Sequence, residues 1–243
     1  MRLTRVHVPG PLVPGRQHTV EGDAANHITR VLRLEPGAPL TVFDGRGAEY
    51  SARIDSLRKN TVIIEVHERS PSSRESSLSL TLAQGVSRGE RMDLVVQKAT
   101  ELGVTAIVPL LTERTVVKLD AKQSERKLAH WQGIAVAACE QSGRDTLPNI
   151  VAPLALDEFL RNIDSQSTRL LLSPTGTQRV NDLKAPERRI VVLIGPEGGL
   201  AENEQRAAIG AGFQAVRMGP RILRTETAAV AALTLLQHQF GDL

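Results

Sequence analysis

The run Ile190-Val191-Val192-Leu193-Ile194, opening directly into Gly195-Pro196-Glu197-Gly198-Gly199-Leu200, constrains the fold of this chain more than any other feature. Apolar, mostly β-branched residues in unbroken succession leave no polar face to turn toward water. The run therefore predicts a strand covered on both sides, as in a parallel sheet. Glycines after such a strand let backbone N–H and C=O groups approach a ligand with no Cβ in the way. Open α/β sheets place ligands at the carboxyl ends of their strands. A second glycine turn, Met218-Gly219-Pro220-Arg221-Ile222-Leu223-Arg224-Thr225-Glu226-Thr227-Ala228, precedes another apolar stretch. Together the two turns read as one pocket.

The rest of the chain splits around Arg69-Ser70-Pro71-Ser72-Ser73-Arg74-Glu75-Ser76-Ser77, a polar Ser-rich segment. Residues 1–70 read as one domain, 71–77 as a linker and 78–243 as a second domain. Before the linker, Arg5–Val8, Leu40–Asp44, Tyr50–Ile54 and Thr61–Val66 read as short strands. A single helix from Asp23 to Leu32, capped at Asp23, puts Ile28, Val31 and Leu32 on one face. This pattern predicts a small β-barrel.

After the linker, strands Leu78–Ala83, Ala106–Leu111, Arg169–Ser173 and Ile190–Ile194 alternate with helices Glu90–Leu102, Ser124–Gln141, Glu202–Ala211 and Thr225–Phe240. In the first helix Met92, Val95, Val96, Ala99 and Leu102 share a face that Gly103 closes. Such alternation defines an α/β domain with a mostly parallel sheet.

Composition removes several function classes. Cys139 is the only cysteine, which excludes an internal disulfide framework and a cysteine-cluster metal site. No apolar run is long enough to span a bilayer, and Met1-Arg2-Leu3-Thr4-Arg5 lacks a signal h-region, so a cytoplasmic protein is expected. Aromatic residues make up 2% of the chain, too few for a base-stacking platform. Net charge is only +3, but Arg2, Arg5, Arg16, Arg30 and Arg33 cluster near the start against Glu21 and Asp23. That patch reads equally as a solvated face and as an RNA-contacting one.

The glycine turn at Gly195 has no Lys or Ser/Thr at Walker spacing, and no G-x-G-x-x-G follows a strand. Its acidic Glu197 disfavours ATP and NAD and tolerates a cationic ligand better. Arg221, Arg224 and Glu226 crowd the start of the apolar helix, as in a pocket where each charge finds a partner. Glu140-Gln141-Ser142-Gly143-Arg144 ends a long helix as a polar knot, read either as a C-cap or as a substrate contact. No hydrolase triad and no H-E-x-x-H is present.

The strings Ile194–Gly199 and Arg221–Ala228 resemble the ribosomal RNA small subunit methyltransferase E family, one of the trefoil-knotted SPOUT methyltransferases. The likeness continues through Gln97–Val104, Glu140–Arg144 and His27–Arg33, nearly the whole chain in the family's order. Ribose 2′-O-methyltransferases carry Ser-Leu-Asn where this sequence has Thr225-Glu226-Thr227, which favours methylation of a base. Two positions depart from the pattern: Ala201 stands where a Ser cap is expected, and His7 where an aromatic is usual.

The resemblance implies a PUA-like N-terminal barrel and a knotted C-terminal α/β domain that binds S-adenosylmethionine. The implied reaction is methylation of N3 of one uridine in the decoding region of 16S rRNA, on the 30S subunit, by a metal-free homodimer. The implied cofactor contacts are Leu172, Ser173, Pro174, Ile194, Gly195, Pro196, Glu197, Gly198, Gly199, Met218, Gly219, Ile222, Leu223, Arg224, Thr225 and Ala228. Arg2, Arg5, Arg30 and Arg33 would track RNA phosphates, while Glu140, Gln141 and Arg144 would position the flipped base or its phosphate, Arg144 from the partner subunit in one version. Arg224 would stabilise charge on the uracil oxygens, with Glu226 or Glu197 accepting the proton or orienting the arginine. The alternatives are a SPOUT enzyme acting on another rRNA or tRNA site, and a non-catalytic RNA-binding protein that keeps the pocket.

Overall fold

The computed structural model describes residues 4–71, 74–117, 119–183 and 188–243. Arg2 of the basic patch and Ser72 and Ser73 of the linker lie outside the described residues. The chain divides into two compact units, Met1–Glu75 with Cys139–Leu147, and Ser76–Ala138 with Pro148–Leu243.

The first unit contains β1 (Arg5–His7), β2 (Gln17–Val20), α1 (Gly22–Asn26), β3 (Pro39–Phe43), β4 (Ala48–Leu57) and β5 (Val62–Pro71). They form a sheet in the order β1-β3-β4-β5-β2, antiparallel except for β1 against β3. Alternation drives it: Ala48, Tyr50, Ala52 and Ile54 of β4 and Val62, Ile64 and Val66 of β5 all turn into one core. β2 escapes sequence reading because only Val20 of its Gln-His-Thr-Val run is buried.

The expected helix from Asp23 is only partly right. It opens at Gly22 behind Glu21, with no side-chain cap. From His27 to Val31 it widens into a π turn, in which Leu32 N–H donates to the His27 carbonyl at 2.9 Å. The wider turn rotates the following residues. Ile28 is fully buried as expected, but Val31 is 68% exposed. Arg33 ends the turn with φ of 52°.

Two arginines expected to contact RNA instead hold this unit together. Arg5, 8% exposed, pairs with Glu49 and with the fully buried Asp145 at 2.9 Å, and its guanidinium lies 5.0 Å from the Phe43 ring centre. Arg144, 3% exposed, donates Nη2 to Glu75 at 2.8 Å and Nε to the same oxygen at 3.1 Å. Buried guanidiniums need such partners because an isolated charge in a low-dielectric interior is very costly. Burial also pushes the Cys139 thiol up to about 12, so it stays protonated at neutral pH.

The second unit contains β6 (Ser79–Gly85), α2 (Glu90–Glu101), β7 (Ala106–Leu111), most of α3 (Ala121–Ser142), β8 (Asn149–Ile150), β9 (Leu154–Ala155), α4 (Leu156–Arg161), β10 (Thr168–Leu172), β11 (Gln178–Arg179), β12 (Arg189–Ile194), α5 (Glu202–Gly210), β13 (Gln214–Arg217) and α6 (Thr225–Phe240). The sheet runs β11-β13-β10-β12-β6-β7-β8, with β9 beside β7, and its pairings are parallel. This is the parallel α/β architecture expected from the alternation. Met92, Val95, Val96 and Ala99 of α2 and Ala229, Ala232, Leu233 and Leu236 of α6 bury their apolar faces in one core with β6 and β12. Full burial of each larger aliphatic side chain contributes about 1.5–3 kcal/mol. The short elements β8, β9, β11, β13 and α4 carry too little periodicity to be read from sequence. Among the described residues no helix is long and apolar enough to cross a membrane.

Asp145→Ala leaves the Arg5 guanidinium with Glu49 as its remaining carboxylate partner, and is expected to destabilise the protein by about 2–4 kcal/mol. Urea unfolding measures the loss, and a change below about 0.5 kcal/mol would show that the pair contributes little.

Candidate active site

Parallel pairing brings the carboxyl ends of β13, β10, β12 and β6 side by side, with Leu172 in register with Val216 and Ile194 with Gln84. The loops leaving these ends line a cavity of about 570 Å³, within the range of small-molecule sites. Leu172, Ser173 and Pro174 come from the end of β10, and Ile194 through Gly199 from the end of β12. Met218, Gly219 and Ile222 through Thr225 come from the loop after β13, and Ala228 from the first turn of α6. Every residue that the resemblance assigned to the cofactor loops thus lines one cavity.

Gln84, which sequence reading passed over, fixes this arrangement. Its side chain is fully buried, and its amide N–H₂ donates to Thr225 Oγ1 at 2.9 Å, the Gly85 carbonyl at 3.0 Å and the Gly195 carbonyl at 3.3 Å. Thr225 Oγ1 in turn donates to the Gly195 carbonyl at 2.7 Å. The available signal was a Gln-Gly pair ending the apolar strand Leu80–Ala83, the same strand-to-glycine pattern as at Gly195. Two glycines permit the close approach. A Cβ on Gly85 would sit 2.4 Å from Pro196 N, and one on Gly195 would sit 2.8 Å from Leu200 N.

The turn after β12 is also held from outside. Ala201 begins α5 with no side-chain acceptor of its own, and Glu204 supplies half of a capping box by accepting the Ala201 N–H at 2.8 Å. The other Glu204 oxygen accepts the Glu113 N–H at 2.8 Å. The Glu204 carboxylate thus fixes the N-cap backbone while the acceptor that a serine would offer to the Glu204 N–H is absent.

The charges divide into bound and free groups. Glu197 accepts the Arg88 N–H and an Arg91 Nη1–H, both at 2.9 Å. Burial raises its carboxyl, but the Arg88 amide, its own amide and the Arg91 guanidinium outweigh this and hold it below the usual carboxylate range. Glu197 thus clamps its loop to Arg88 and Arg91 and makes no ion pair with Arg224. Arg114 donates Nη1 to the Gly198 carbonyl at 2.9 Å. Arg224 is exposed, Glu226 is half-buried, and neither enters an ion pair among the described residues. One Glu226 oxygen, Oε2, is buried without a hydrogen-bond partner among the described residues.

The remaining expected contacts belong to the first unit. Arg30 and Arg33 are exposed there, as is Gln141. Glu140 is half-buried; it accepts the His7 N–H at 3.0 Å and lies 4.0 Å from His27 Nε2. His7 packs its ring 5.3 Å from that of Phe43, and burial lowers its pKa against an opposing pull from Asp44.

Residues 74–237 match the family model of the RNA methyltransferase domain, and residues 20–66 that of the RNA methyltransferase PUA domain. The ribosomal RNA small subunit methyltransferase E of Buchnera aphidicola subsp. Acyrthosiphon pisum is 31% identical over 241 residues, covering 99% of this chain and 95% of that one. The protein of the same name from Synechocystis is 38% identical over 214 residues, covering 86% of this chain and 68% of that one. Among solved structures, the ribosomal RNA small subunit methyltransferase E of Neisseria gonorrhoeae, bound to S-adenosyl methionine, superposes with a TM-score of 0.93 at 39% identity over 100% of both chains. A Legionella pneumophila protein in complex with the bound cofactor SAM gives a TM-score of 0.96 at 40% identity, again over 100% of both chains. The chain is thus an RNA methyltransferase by fold and family model, and belongs to the ribosomal RNA small subunit methyltransferase E family.

Two outcomes follow from this geometry. Gly85→Ala forces β6 away from Pro196, so cofactor affinity is expected to fall at least about tenfold by calorimetry; unchanged affinity would show that the close approach is dispensable. The Glu197 clamp is present above the unfolded carboxylate value, ~4.3, and is lost as pH falls through the lower folded value. Glu197→Gln should therefore be less stable than the parent at neutral pH and converge with it once pH falls below the lowered folded value, as urea unfolding across pH would reveal.

Proposed function

We propose that this protein uses S-adenosylmethionine to methylate N3 of one uridine in the decoding region of 16S rRNA. Its substrate is the 30S subunit in the cytoplasm, it works as a homodimer, and its second unit threads a trefoil knot. The cavity built from glycine turns carries this reading. Among the described residues it is lined by main chain, apolar and small polar side chains, four arginines and the carboxylates Glu197 and Glu226, with no lysine and no P-loop to grip a triphosphate.

The lining suits the cofactor. Gly195, Gly198, Gly199 and Gly219 expose backbone groups, and the unpartnered Glu226 Oε2 offers an acceptor to a cationic ligand. Leu172–Pro174, Ile194–Gly199, Met218, Gly219 and Ile222–Thr225 would hold it, with Ala228 behind. When bound, S-adenosylmethionine supplies a methyl group already activated on a sulfonium.

The chain's own residues must then align the uracil and remove the N3 proton. Fixing the reacting groups in line contributes several kcal/mol of rate acceleration. Arg224, exposed at the cavity and without a carboxylate partner among the described residues, presents a planar donor fork to the uracil oxygens as negative charge develops. Glu226 accepts the proton. Glu197 is the poorer base because Arg88 and Arg91 already occupy it and favour its ionised form. The first unit acts as the PUA-like RNA-binding domain and contributes the exposed Arg30 and Arg33 to phosphate contacts.

Transfer of label from methyl-labelled donor to 30S subunits, naked 16S rRNA and tRNA, followed by nucleoside mapping, tests the reading. The expected product is 3-methyluridine at one site on the subunit. Label in tRNA, or on a ribose, would overturn it. Arg224→Ala should lower single-turnover methylation by about 10²–10³-fold, and full retained activity would remove the role assigned to that residue.

A further inference from the structure

The cavity takes a cationic cofactor yet is ringed by arginines, and that combination calls for an anionic partner at its mouth. Arg91, Arg114, Arg221 and Arg224 all line it. Among the described residues Arg91 alone of the four has a carboxylate partner, Glu197, at 2.9 Å. Arg114 is anchored to a neutral carbonyl, that of Gly198. Arg221 and Arg224 are exposed and make no ion pair among the described residues. Against these three uncompensated guanidiniums the lining offers one further carboxylate, that of Glu226.

S-adenosylmethionine carries a sulfonium and an ammonium against one carboxylate, so its net charge is positive. A ring of uncompensated arginines repels such a molecule. The repulsion is relieved when a polyanion shares the mouth. Guanidinium forks match phosphate oxygens in a bidentate geometry that ammonium groups cannot reproduce. The first unit cannot supply all the phosphate contacts expected of it, because Arg5 is buried against Glu49 and Asp145.

We propose that Arg114 and Arg221 form a phosphate-binding rim, beside Arg224 at the base, that grips the rRNA backbone next to the nucleotide entering the cavity. This rests on the RNA methyltransferase reading and deepens it. The catalytic unit itself holds the substrate strand through its phosphates, independently of base identity. Phosphate contacts of this kind fix register and orientation while base-edge contacts select the site.

The test uses the full-length protein carrying Arg221→Gln, Arg114→Gln or both, with Arg221→Lys as the charge-conserving control. Binding of a labelled 16S rRNA transcript is titrated across salt concentrations, and S-adenosylmethionine binding is measured separately by calorimetry. Each glutamine is expected to reduce the slope of log K against log salt by about 0.7, equivalent to about fivefold weaker binding at ~0.1 M salt. Arg221→Lys should restore most of the slope. An unchanged slope in Arg221→Gln, whose parent side chain makes no ion pair among the described residues that could confound folding, overturns the proposal. So does a loss of S-adenosylmethionine affinity with RNA binding intact, which would assign the arginines to the cofactor's carboxylate. Binding requires no turnover, so the two readings fail separately. An arginine-dependent slope with no methyl transfer to rRNA would sink the assigned reaction and leave the rim standing. Transfer with an unaltered slope would sink the rim alone.

Discussion

One buried amide carries the geometry of the cavity. Gln84 sits at the end of β6 in register with Ile194, and its N–H₂ group reaches the Gly85 carbonyl, the Gly195 carbonyl and the Thr225 hydroxyl. Burying an amide costs about 1–3 kcal/mol unless it is hydrogen-bonded. The chain segments around it are therefore constrained to supply acceptors. The end of one strand, the glycine turn after its neighbour and the first residue of α6 become mutually fixed. Because α6 begins at Thr225, the same bonds fix where Glu226 and Ala228 lie on its first turn. The site is thus made at the junctions of secondary elements, where the parallel sheet leaves its strand ends.

The two units use arginine in opposite ways. In the first, Arg5 and Arg144 are buried and ion-paired with Glu49, Asp145 and Glu75. In the second, Arg221 and Arg224 stand exposed beside a cavity and are left without carboxylate partners among the described residues. A satisfied buried pair has little left to offer a ligand. An exposed, uncompensated guanidinium has its donors available and a field that extends about 8–10 Å at ordinary salt. Glu197 and Glu226 show the same division. One is committed to Arg88 and Arg91 and clamps a loop, while the other keeps an oxygen unpartnered.

The sequence by itself determined much of this protein. Ile190–Ile194 could be solvated on neither face and had to form an interior parallel strand, and the glycines following it had to form a turn at that strand's carboxyl end. The periodicity of Met92, Val95, Val96 and Ala99 required α2 to present that face to the core. Only the tertiary structure decided the rest. Whether Arg5 faces solvent or Asp145 depends on a partner 140 residues away, which no local pattern records. The π turn at His27–Val31 sends Val31 outward against its 3.6-residue periodicity. The roles of Gln84 and Glu204 exist only once segments distant in the chain meet, because a hydrogen bond is defined by both of its ends. Local pattern encodes which face of an element is apolar, whereas the partner of a polar group is set by the fold.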